Sequence, residues 1–187
     1  MKKEGEETLF FVSDVVTTAP AKYKSPLQEK AYKSLDELQI AYERVETDEA
    51  ISMEDCVEIN RKLEMEMVKT LFLCNSKKTA FYLFITNAGK PFNSKNFSNA
   101  LGISRVSFAP AELMESMLGV KIGAATVFSV LMDMDKQVQV VIDREVVAKE
   151  WYGCSDGTTT GYLKLRTKDI TDSFLPYADH IPTIMEL

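Results

Sequence analysis

Apolar and polar positions along the chain fall into short segments with two different periods. Leu27, Ala31, Leu35 and Leu38 recur at helical spacing and predict an amphipathic helix. Its start is marked by Ser25-Pro26-Leu27-Gln28, which supplies a capping hydroxyl, a proline at the first helical position and Gln three residues after the cap. Residues 40–47 read as a short strand, and Ser52-Met53-Glu54-Asp55 opens a second helix that runs to about Glu64. In the centre, residues 67–74, 79–86 and 105–108 predict three strands. Phe97, Ala100 and Leu101 mark a short helix closed by Gly102. Pro110 opens another, with Leu113, Met117 and Leu118 inward and Gly119 at its end. A loop of small residues spans 119–126. Strands follow over 127–132, 137–142 and 159–166, then a helix near 168–177. Helices and strands alternate irregularly, and several strands are separated only by short turns. The pattern predicts an α/β chain of the α+β kind, a mixed, largely antiparallel β-sheet surrounded by helices.

Length and composition narrow this picture. The 187 residues suffice for one domain with a proper core. Residues 1–24, rich in charge and glycine at the start, read as an N-terminal extension, either a loose tail or an extra strand; residues 25–187 read as the domain body. No apolar run approaches the roughly 20 residues of a membrane helix, so no membrane association is expected. The apolar stretch at 8–16 is short, is interrupted by Asp14 and lacks a cationic start, unlike a secretory signal. A cytoplasmic protein is the resulting expectation.

Cys56, Cys74 and Cys154 are odd in number and far apart, and His180 is the sole histidine, which argues against a structural zinc site and for reduced thiols. The net charge of −6 argues against broad binding to a phosphate backbone, but leaves room for a local basic spot that receives one RNA end.

Four places carry candidate chemistry. In Val68-Lys69-Thr70-Leu71-Phe72-Leu73, period-two alternation puts Lys69 on one face with Leu71 and Leu73. Such a cation needs an anionic partner or a route to water, so Lys69 is either an anion-binding lysine or a strand-start lysine snorkelling to solvent. In the loop from Gly119 to Ser129, Gly123, Ala124 and Ala125 leave backbone amides uncovered, which suits an oxyanion; the structural alternative is a plain connection with a glycine cap. Asp143 ends an apolar run, either to bind a substrate hydroxyl or amine or to cap a helix beginning at Arg144. Residues 151–160 mix turn formers with hydroxyls, and either line a pocket through Thr158 and Thr160 or form a hairpin loop. A Cys154–His180 nucleophilic pair has no support from spacing.

Several segments taken in order resemble the freestanding prolyl-tRNA editing proteins of the YbaK and ProX/PrdX type. These are the helix and strand over 26–47, Lys69-Thr70-Leu71-Phe72-Leu73, the stretch 118–125 with Gly119 and Gly123, and the run 131–143 ending in Asp143. The likeness spans about residues 25 to 180. It implies hydrolysis of the ester of a mischarged tRNA, typically alanine on the tRNA for proline, with no metal and no cofactor. It also implies the tRNA acceptor end as partner, with a possible aminoacyl-tRNA synthetase contact. On this resemblance Lys69 and Asp143 are the catalytic candidates. Gly119, Gly123, Ala124, Ala125, Thr126, Phe128, Asp156, Thr158 and Thr160 are the substrate-binding ones. Two departures stand out: Val127 and Ser129 replace a Pro and a Gly of the family loop, and Gly153 and Cys154 replace a His-Pro pair. The alternative reading is a catalytically weakened homologue that binds tRNA or an aminoacyl or nucleotide-like ligand. Oligomeric state is not readable from the sequence.

Overall fold

The computed structural model describes residues 9–50 and 52–187. The first helix, α1 (Pro26–Glu37), starts where its signals place it, with the Ser25 hydroxyl accepting from the Gln28 amide at 3.1 Å. Leu27, Ala31 and Leu35 on its inner face are fully buried. Helix α2 (Met53–Leu63) begins with a reciprocal cap, Asp55 amide to Ser52 hydroxyl at 3.1 Å and Ser52 amide to Asp55 carboxylate at 2.8 Å.

Two sheets form the body. The three-stranded sheet has the order β1 (Glu43–Glu46), β7 (Gly161–Arg166), β6 (Trp151–Ser155), all antiparallel. The five-stranded sheet has the order β4 (Val106–Phe108), β2 (Val68–Asn75), β3 (Phe81–Asn87), β5 (Val138–Asp143), β8 (Thr183–Met185). In it β4–β2–β3 are antiparallel, while β3–β5 and β5–β8 are parallel. A parallel bridge from Met67 to Gly153 links the two sheets. Ahead of β1, Val12 and Val16 form antiparallel bridges to Thr47 and Arg44, so this part of the chain adds an irregular strand to the β1 edge.

Alternation sorts the large sheet into two faces. Phe72, Leu83, Ile85, Val140 and Ile142 enter the main core with α1, Phe128 and Phe174. Leu73, Tyr82, Phe84 and Val141 enter a second core against Phe97 of α3 (Ser94–Leu101). The mixed, largely antiparallel architecture expected from the pattern is the one observed.

Some elements differ from their prediction. Residues Val127–Met132 form a 3-10 helix, not a strand. Val127, Phe128, Ser129 and Val130 are all buried, so no face alternates, and the Thr126 amide donates to the Ser129 hydroxyl and tightens the turn. The helix after Pro110 is three residues of α4 (Ala111–Leu113) continued by a π turn, Met114–Leu118. The helix expected near 168–177 is likewise a π turn, Asp169–Phe174, followed by α6 (Leu175–Tyr177). Strands β6 and β8 were not predicted: β6 holds turn-forming Gly153, and β8 is three residues long.

Candidate functional site

A cavity of about 560 Å³ opens where the two sheets meet. Its walls come from α2 (Cys56, Asn60), β2 (Val68 to Phe72), the 122–125 loop, and Cys154, Ser155 and Tyr162 of the small sheet. The edge of β2 explains why it opens here. Strand β4 pairs with β2 only at Leu73, Cys74 and Asn75, which leaves the earlier part of that edge without a neighbouring strand. Residues of both faces, Lys69 and Leu71 as well as Val68 and Thr70, therefore border the cavity.

Lys69 is half-buried and meets a neutral main-chain acceptor. Its ammonium donates to the Lys90 carbonyl, in the turn after β3 whose Ala88 also lines the cavity. An ammonium carries three donors, so two remain for a ligand. Gly123 and Ala125 border the same cavity. Gly123 sits at φ +89° with open space where a side chain would be, a backbone that L residues rarely adopt. The Ala124 amide donates to the Lys121 carbonyl at 3.1 Å and the Thr126 amide to Ser129. Among the described residues, the amides of Gly123 and Ala125 have no acceptor. Of the three amides expected to be uncovered, two are, and the middle one is not.

The remaining candidates lie elsewhere. Gly119 ends the π turn at φ +64° beside Met132 and does not border the cavity. Ala124 is buried, and its carbonyl accepts from the Ser155 hydroxyl. Thr126 is fully buried and donates to the Ser155 carbonyl at 2.8 Å, holding the loop onto β6. Phe128 is a core residue, its ring 4.9 Å from that of Phe174; the loop turns its side chain inward because the segment is helical.

Asp156 is buried behind the β6–β7 turn and accepts from Gln28, from the Tyr32 hydroxyl at 2.9 Å and from the Thr158 hydroxyl at 2.7 Å. It ties α1 to the small sheet. Thr160 accepts from the Lys24 ammonium at 2.6 Å. Asp156, Thr158 and Thr160 thus form a hairpin-loop network outside the cavity walls.

Asp143 also lies outside those walls. It is wholly buried on the α3 side of the large sheet. One oxygen accepts from the Glu145 amide at 3.0 Å and so caps α5 (Arg144–Val147); the other accepts from Thr86 at 2.8 Å and from the Lys90 ammonium at 2.9 Å. Burial alone would raise its pKa. The Lys90 ammonium, the Glu145 amide and the Thr86 hydroxyl outweigh that and hold the carboxyl below its ordinary value. The same pairing raises the Lys90 ammonium.

Cys154 borders the cavity, but burial pushes its thiol far above the ordinary range. His180 is engaged by Asp133 at 2.9 Å and the Ala178 carbonyl at 2.7 Å. Among the described lining residues there is no Asp, Glu or His. Sequence reasoning missed Met67, Ser155 and Tyr162 as lining residues, since their role depends on the junction of two sheets. Where the resembled family has His, Gly153 leaves no room for a side chain. A Cβ there would lie 2.6 Å from the Met65 sulfur and 2.9 Å from the Glu66 carbonyl oxygen. A second depression, of about 640 Å³, lies between α1 and residues 17–19 and borders none of the candidates. Among the described residues, no helix is long and apolar enough to cross a membrane.

Residues 47–173 match the aminoacyl-tRNA editing domain. A relative from Acetoanaerobium sticklandii, the prolyl-tRNA editing protein ProX, is 27% identical over 136 residues, covering 73% of this chain and 83% of that protein. The prolyl-tRNA synthetase associated domain-containing protein 1 of Danio rerio is 24% identical over 169 residues, 89% of each chain. A crystal structure described as a candidate trans-editing enzyme for prolyl tRNA synthetase superposes with a TM-score of 0.64 at 16% identity, over 88% of this chain and 98% of that one.

Proposed function

The chain belongs to the aminoacyl-tRNA editing domain family and is an aminoacyl-tRNA deacylase, and from that premise we propose how its cavity hydrolyses the ester. What supports the reading is that Gly123 and Ala125, whose amides have no acceptor among the described residues, border one cavity with Lys69. The terminal adenosine enters along the open edge of β2, with a phosphate or ribose oxygen on the Lys69 ammonium. The ester carbonyl lies against the 123–125 loop. As water attacks, the carbonyl oxygen becomes anionic and the two amides stabilise it; losing one such donor costs about 10²-fold in rate or more. The bond to the ribose oxygen breaks, and that oxygen takes up a proton. Among the described residues the walls offer no carboxylate or imidazole base, so the substrate's own 2′-hydroxyl orients the water. The ester is activated to begin with, and modest catalysis suffices.

The substrate we propose is alanine esterified to the tRNA for proline, released in trans in the cytoplasm beside the synthetase. The largely apolar walls, with Val68, Phe72, Ala109 and Met114, suit a small aliphatic side chain. Residues 25–187 act as the editing unit, with 1–24 an extension to it. Asp143, first a catalytic candidate, serves structure near the site and does not touch substrate.

The test is a panel of mischarged tRNAs incubated with the pure protein. Lys69→Ala is expected to lower kcat/KM by about 10²-fold with the circular dichroism spectrum unchanged. Equal activity in that variant would remove Lys69 from the mechanism. Tight tRNA binding with no ester loss anywhere in the panel would instead select a binding module.

A further inference from the structure

Among the described residues, the Lys69 ammonium is held by one acceptor, the main-chain carbonyl of Lys90. That carbonyl belongs to a turn fixed at several points. The Lys90 amide closes the turn on the Asn87 carbonyl at 3.0 Å. The Lys90 ammonium reaches back to buried Asp143 at 2.9 Å and to Glu145 at 3.3 Å. The Asn87 side chain donates to Glu145 at 2.8 Å. A buried carboxylate requires a cation, and here the demand is met by the side chain of the same residue whose carbonyl faces Lys69. Register adds to the coupling, since Thr86, which donates to Asp143, is the residue paired with Lys69 across β2 and β3.

We infer that Lys90 is a positioning residue for Lys69: the Asp143–Lys90 ion pair fixes the 87–90 turn, and the Lys90 carbonyl then fixes the ammonium of Lys69 at the cavity rim. The inference rests on the reading of Lys69 as the cation that receives substrate. It gives the buried carboxylate an influence on Lys69 from two strands away on the same face of the sheet. A lysine is otherwise a flexible stem with many rotamers, and clamping one donor presents the other two in a fixed direction.

Two readouts test this separately. The first is the ¹H–¹⁵N signal of the Lys69 ammonium, assigned by its loss in Lys69→Met. The signal is expected to be resolved in the native protein, to broaden away in Lys90→Met and to return in Lys90→Arg. The second is kinetic. Lys90→Met is expected to lower kcat about tenfold with KM changed less than about twofold, and Lys90→Arg to restore it, because a misplaced group costs rate more than binding. A Lys69 signal absent from the native protein, or identical in Lys90→Met, overturns the inference, as does an unchanged kcat. Should Lys90→Met not fold, Asp143→Asn removes the ion pair from its other side at nearly constant shape; a shifted or broadened Lys69 signal then supports the coupling, and an unshifted one overturns it. If the native protein shows no deacylation, the catalytic reading fails while the spectrum still decides the clamp.

Discussion

A single aspartate illustrates how environment sets a role. Asp143 is buried, caps a helix and shares one oxygen between a hydroxyl and an ammonium. Because its folded carboxyl titrates below the ordinary value of about 3.9, its contribution to stability is complete above that value and is lost as pH falls through the lowered one. Removing one partner of a buried ion pair costs about 3 to 5 kcal/mol. Asp143→Asn is therefore expected to melt about 6–20 °C below the native protein at pH 7. The gap should narrow steadily below about pH 4, read by thermal unfolding at a series of pH values. A gap independent of pH would show that the carboxylate charge is not what matters. The cap of α5 was one of two readings open from the sequence, as local hydrogen bonds are encoded by adjacent residues. The partners Thr86 and Lys90 lie more than fifty positions away and left no local signal.

Among the elements, helix starts were the most legible. Ser25 and Ser52 cap where the spacing placed them, since a cap needs only four consecutive residues. The strands β2, β3 and β5 were recovered to within a residue or two, because β3, most of β5 and the second half of β2 are buried on both faces and read as apolar runs. Strand β6 was not, because Gly153 and Ser155 resemble a turn. The glycine there is a packing requirement: the chain of Met65 and Glu66 crosses where its side chain would be. Gly153→Ala forces β6 away from that crossing. The expected cost is about 1 to 3 kcal/mol, the range for overpacking, seen as a lower midpoint in urea. Deacylation should fall with it, since Met67, bridged to Gly153, lines the cavity. A variant as stable and active as the native protein would mean that the crossing is compliant. The candidate site was half legible for a related reason. Lys69, Gly123 and Ala125 announce themselves by pattern. Asp156, Thr158 and Thr160 look equally polar in sequence, but they face a hairpin loop that holds α1 in place.

At the scale of the whole molecule, the five-stranded sheet separates two cores, a third lies between α2 and the small sheet, and the candidate cavity forms where the smaller sheet meets the open edge of the larger one. The small sheet has a border of its own, and residues ahead of α1 close it. The Ser13 amide donates to the Glu46 carbonyl at 2.8 Å, and Val16 and Arg44 exchange amide-to-carbonyl bonds of 3.0 and 2.8 Å. Without that selvedge the outer groups of β1 would face water in a row, a template onto which another copy could add. A chain shortened to begin at Ala19 should therefore sediment as a monomer only when dilute and form larger species as it is concentrated. The intact chain should keep one sedimentation coefficient across the same range.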